Sequence, residues 1–117
     1  DPVSIFELYR VLNETGARIV ISSDWRYAND VKTFNERFML AGLMSDRVID
    51  LTPKTLYNRG QEIALWLSDH PEITEWAAVD DDIKMDPLPR SRVVQTTWEQ
   101  GMQPSHADRL INILGKA

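Results

Sequence analysis

Three consecutive carboxylates, Asp80-Asp81-Asp82, close a short apolar run over residues 76–79. An apolar run bounded by charge reads as a buried strand of a parallel sheet. Carboxylates at the C-terminal end of such a strand sit where open α/β sheets bind their ligands. Adjacent anions repel one another, and a cation or buried donors must offset that cost. Oxygen donors of this kind suit Mg²⁺, which takes one or two protein carboxylates and keeps its waters. A solvated acidic turn has the same composition, with Lys84 merely neutralising it, so this stretch alone leaves both readings open.

Two further groups bear on the choice. Ser22 and Ser23 end a second apolar run, and Arg59 lies at the start of the helix that leads into the acidic strand. A hydroxyl that donates to a phosphoryl oxygen, a cation that offsets its charge and carboxylates that hold a metal are the parts of a phosphate-plus-Mg²⁺ site. Each part also has a plainer use. Ser22-Ser23 serves equally as a helix cap or strand end, and a lone arginine is most often solvated. His70 and His106 have no partner at metal-ligand spacing and read as surface residues. Trp66 and Trp76 read as core or core-edge aromatics. Trp25 and Trp98 fall in loops at the proposed ligand edge, either covering a substrate or packing down as rim aromatics.

These residues need a scaffold, and the apolar spacing supplies one. Ile5, Leu8, Tyr9 and Leu12 stand at the i, i+3, i+4, i+7 spacing of an amphipathic helix over residues 3–15, with Asp1-Pro2 opening it and Gly16 as its C-cap. Residues 17–21 form a β-branched run that reads as a buried strand. Val31, Phe34, Phe38 and Ala41 place a helix over residues 30–41 that stops at Gly42. Residues 48–51 read as a short strand and 52–58 as a loop. Gly60 then precedes a helix over 61–67 with Ile63, Trp66 and Leu67 inward, ended by Pro71. Residues 77–79 and 93–96 are further strands, separated by a loop carrying Pro87 and Pro89, and Gly101 marks a turn. Pro104 opens a last helix that buries Ala107, Leu110, Ile111 and Leu114 before Gly115. Strands alternating with helices argue a parallel α/β sheet with right-handed crossovers.

The bulk properties set limits. The 117 residues, 43% of them hydrophobic, suit one small domain with one core. The net charge of −5 and the lack of a Lys/Arg run argue against general polyanion binding, while leaving room for a local phosphate pocket. Without cysteine there is neither a disulfide framework nor a thiolate zinc site. No leader or membrane span stands out, so a soluble, cytoplasmic domain is expected.

The ordered set Thr15-Gly16-Ala17-Arg18-Ile19-Val20-Ile21-Ser22-Ser23-Asp24-Trp25-Arg26, then Arg59-Gly60-Gln61-Glu62-Ile63 with Trp66-Leu67, then Ala78-Val79-Asp80-Asp81-Asp82, then Arg92-Val93-Val94-Gln95-Thr96 with Gly101, covers nearly the whole chain. It resembles the haloacid dehalogenase (HAD) superfamily of phosphohydrolases. More narrowly it is similar to the small HAD domain of the Swiss Army Knife RNA-repair group. The resemblance implies a three-layer, Rossmann-like fold with a mainly parallel sheet, Mg²⁺ as cofactor, and a phosphorylated substrate, either a nucleic-acid end or a small metabolite. It gives Ser22, with Ser23 as its alternative, the second-motif hydroxyl. Arg59 becomes the third-motif cation, and Asp80 and Asp81 the metal carboxylates. Asp82 and the group signature Trp25-Arg26 receive no role.

One departure matters. The family's first motif is a strand ending in Asp-x-Asp, which supplies the nucleophile and the acid/base. Asp1-Pro2 fall where the family's chain is already entering its first helix. That strand is the middle of the family's sheet. The expectations are therefore an N-terminally trimmed domain, a gap or replacement strand between the strands ending at Ser22 and Asp80, and no phosphatase activity until the nucleophile motif is supplied. The competing expectations are a non-catalytic metal- or phosphate-binding domain and a generic α/β interaction module.

Overall fold

Capping chemistry and strand propensity set the element boundaries. The computed structural model of the chain describes residues 2–22, 29–42, 46–54, 58–81, 85–97 and 99–116. Helix α1 spans Pro2–Thr15 and ends at Gly16, whose φ of 70° only glycine adopts freely, with its N–H donating to Leu12 O at 2.9 Å. Arg47 donates to the Leu12 and Ala17 carbonyls and so completes that cap. Strand β1 is Ile19–Ile21. Helix α2, Val31–Leu40, starts on Asp30, whose carboxylate accepts from Thr33 N–H at 2.8 Å and is thereby held below the usual carboxylate range. Strand β2 is Val48–Leu51, helix α3 Arg59–Ser68, strand β3 Ala78–Asp80, strand β4 Val93–Gln95 and helix α4 Pro104–Leu114. A 3₁₀ turn over Arg90–Arg92 leads into β4.

The strands pair in parallel, β1 with β2 and β3 with β4, and among the described residues the two pairs form separate sheets. The chain is therefore α/β with parallel strands, and β1 and β3 share no ladder among the described residues. One expectation needs correcting. The β-branched run Ile19–Ile21 reads as fully buried, yet all three residues are only half-buried, because β1 has a ladder neighbour on one side alone. Val79 on β3 is likewise 37% exposed.

Around β3/β4 the layers are complete. Val94 packs with Val11 of α1 and Ala107, Leu110 and Ile111 of α4. The adjacent positions Ala78 and Val93 turn the other way, as strand alternation requires, and pack with Met85, Leu88 and Ile63, Ala64 and Leu67 of α3. The inward residues expected for α4 are found there. In α1 the buried stripe is Glu7, Val11 and Leu12, while Tyr9 is 40% exposed. On the same seam Arg10 hydrogen-bonds Glu7 and pairs with Asp108 of α4 at 2.8 Å.

Helix α3 begins earlier than its glycine suggests. Asn58 caps it through a reciprocal pair with Gln61, so Arg59 is the first helical residue and Gly60 lies inside the first turn. Gly60 is there for space: a Cβ at this position would collide with the backbone carbonyls of Met85 and Asp86. The first turn of α3 is thus pressed against the chain just beyond the acidic residues.

Candidate functional site

Strand β3 ends on Asp80, and the ladder runs on past it, with Thr96 N–H donating to Asp80 O at 2.9 Å. That pairing fixes the backbone beneath the acidic residues. The contact at Gly60 brings the start of α3 to the same place, and Arg59 Nη1 meets Asp80 Oδ2 at 2.6 Å. The Asp80 side chain is 8% exposed and that of Arg59 22%, so this is a largely desolvated, charge-assisted contact. An arginine in a first helical turn opposes the helix dipole, at a cost of about 0.3–1 kcal/mol. Asp80 offsets it locally, which indicates that the cation is placed for the strand end rather than for the helix.

Asp81 stands exposed beside this pair. Its carboxyl is held above the usual carboxylate range, first by a hydrogen bond with the Asp80 side chain, then by desolvation and by the Asp80 charge. Two carboxyls close enough to share a proton are close enough to share a cation. Gln95 Nε2 reaches the Asp81 carbonyl at 3.5 Å, tying the turn back to β4. Among the described residues no group of three or more His, Asp or Glu side chains converges on a common point. Two adjacent carboxylates, with the remaining positions left to water and ligand, match the donor set that Mg²⁺ takes.

The structure therefore brings Arg59, Asp80 and Asp81 together. Ser22 follows Ile21 at the corresponding end of the other pair, β1/β2, half-buried and with its own interaction. Ser23, Asp82, Trp25, Arg26, Lys84 and Trp98 lie outside the described residues. The two histidines are not idle surface groups. His70 stacks on Trp66 with ring centroids 3.8 Å apart, and its Nδ1 lies 2.7 Å from Trp66 O. His106 Nδ1 accepts from Gln103 N–H at 2.9 Å and caps α4. Trp66 is buried, as expected, and its Nε1 donates to Asp50 at 2.8 Å.

Sequence reading missed Thr52. It directly follows β2, is 4% exposed, and its hydroxyl is buried without a hydrogen-bond partner among the described residues. The signal was present: like Ser22, it is a hydroxyl residue directly after an apolar strand. The buried Glu62 in the first turn of α3 was missed as well.

Comparison with protein families gives a match over residues 1–107 to the HAD domain in Swiss Army Knife RNA repair proteins. Comparisons with curated proteins and with solved structures gave no match. No described helix is long and apolar enough to cross a membrane.

Proposed function

The chain belongs to the family of HAD domains found in Swiss Army Knife RNA repair proteins, and from that premise we propose a Mg²⁺-dependent phosphohydrolase domain acting on a phosphorylated substrate. The observation that carries the reading is the Arg59–Asp80 pair, 2.6 Å long and largely buried, beside a proton-sharing Asp81 at the C-terminal end of a parallel strand.

The roles follow from the chemistry of each group. Asp80 and Asp81 hold the metal, which when bound supplies positive charge against the phosphoryl oxygens. Arg59 presents a fixed, permanently charged fork to the same oxygens. Ser22, or Ser23 next to it, donates a hydrogen bond to a phosphoryl oxygen and orients it. The nucleophile is the part this set lacks. Asp80 and Asp81 are committed to the metal. Ser22 has no histidine beside it in the sequence, and a serine without a base is a poor nucleophile. The proposed nucleophile is an aspartate of an Asp-x-Asp strand ahead of α1; a strand placed between β1 and β3 would join the two sheets, which share no ladder among the described residues. The aspartate would attack phosphorus, form an acyl-phosphate and expel the alcohol.

Of the two substrate classes, the nucleic-acid end is favoured by the family's description. A net charge of −5 restricts such contact to the terminus itself rather than to a long stretch of backbone. The domain is expected to work in the cytoplasm. A non-catalytic phosphate- or metal-binding role, which the Arg59–Asp80 pair and Asp81 would serve equally well, is the second reading. Hydrolysis of an aryl phosphate, with and without a supplied Asp-x-Asp strand, separates the two.

A further inference from the structure

Thr52 presents an energetic anomaly. Its hydroxyl is buried and has no hydrogen-bond partner among the described residues, while the residue as a whole is 4% exposed. A buried hydroxyl left unpaired costs about 1–3 kcal/mol, and valine fills the same volume without that cost. Such a group calls for a reason.

Its position supplies one. Thr52 N–H donates to Ile21 O at 2.9 Å, so the β1/β2 ladder continues one residue past β2. Ile21 pairs with Leu51 in the parallel register, and one step further Ser22 stands opposite Thr52. Residues opposite one another on neighbouring strands project to the same face, yet Thr52 Oγ1 does not hydrogen-bond Ser22 in this structure. Pro53 follows, which holds Thr52 in the extended region. Its β-branched side chain has little χ1 freedom. The hydroxyl is thus rigidly held next to the residue proposed to touch phosphate.

We propose that Thr52 is the positioning residue of Ser22: its O–H donates to Ser22 Oγ when Ser22 donates its own proton to a phosphoryl oxygen. Two hydroxyls in series polarise one another, strengthening the outer bond. The buried, unbonded hydroxyl is the cost of keeping that donor in place. The inference rests on the site proposed above and adds to it a residue that never touches the ligand.

The test is calorimetric titration of inorganic phosphate into the full chain with Mg²⁺ in excess, alongside thermal unfolding. T52V and T52A each remove the hydroxyl, and T52S keeps it. The expected result is a roughly two- to tenfold loss of phosphate affinity in T52V and T52A, the equivalent of one hydrogen bond. T52S retains affinity, and T52V melts no lower than the parent. In an S22A background, T52V then costs nothing further. Unchanged affinity in T52V and T52A, or losses that simply add to that of S22A, would overturn the role of Thr52 while leaving the site intact. Phosphate binding that is absent, or indifferent to R59Q, would instead overturn the site itself and this inference with it.

Discussion

Arg59 Nη1 lies 2.6 Å from Asp80 Oδ2, joining the first residue of α3 to the last residue of β3. The pair locks the cation of one proposed motif onto the carboxylate of another, and only 8% of the Asp80 side chain reaches solvent. Removing one partner takes a charge-assisted contact from a largely desolvated group, which costs more than the pair contributes. R59Q is therefore expected to lower stability by about 1–3 kcal/mol, read by chemical denaturation. The double variant R59Q/D80N should recover part of that loss. An R59Q protein as stable as the parent would show that the contact carries no weight.

Asp81 provides a pH signature. Its folded carboxyl binds a proton more tightly than the unfolded one, chiefly through its hydrogen bond to Asp80. A raised acid favours the folded state below its unfolded pKa, and that advantage is lost as pH rises through the folded value. D81N should accordingly raise the melting temperature at neutral pH, with the difference vanishing as pH falls below the ordinary carboxylate range. Mg²⁺ should relieve the same repulsion in the parent, adding about 0.4 kcal/mol at a concentration equal to its Kd. That gain should be absent in D81N. A Mg²⁺-dependent shift of equal size in both proteins would remove Asp81 from the metal site.

Gly60 sets two effects against each other. Alanine has the better helix propensity by about 1 kcal/mol, yet its Cβ would strike the Met85 and Asp86 carbonyls. Backbone yields less than a side-chain tip, so the collision should win. G60A is expected to unfold at lower denaturant concentration and to weaken Mg²⁺ and phosphate binding by displacing Arg59. A stabilised G60A would mean that α3 is free to move away from residues 85–86.

Much of the scaffold was legible because local chemistry announces itself. Gly16, Gly42 and Gly115 all take positive φ at helix ends, and the apolar stripe of α4 is the buried one. Arg59, Asp80 and Asp81 stand out by their order along the chain, and the fold brings the three side chains together. Spacing failed where burial depends on a partner from far away in the sequence. Tyr9 is 40% exposed, while Val11 packs with Ala107, Leu110 and Ile111 of α4, a contact that spacing within α1 does not announce. Ile19–Ile21 carry the composition of an interior strand, but composition cannot say whether a second neighbour is present. Gly60 looked like a boundary because glycine usually is one; the carbonyls that require it lie 25 residues on, at Met85. Ser23 falls outside the described residues, and its role as the alternative to Ser22 rests on the resemblance.

The central claim is that Arg59, Asp80 and Asp81 form the phosphate and metal half of a phosphohydrolase whose nucleophile sits on a strand between β1 and β3. The most direct measurement is hydrolysis of an aryl phosphate by residues 1–117 alone and by the same residues joined to an upstream strand ending in Asp-x-Asp. The account predicts no turnover from the first. From the second it predicts Mg²⁺-dependent turnover that falls by about 10²–10³-fold in R59Q, as expected for loss of one transition-state donor. Mg²⁺-dependent turnover by the 117 residues alone, lost in D81N and absent from a mock purification, would contradict it.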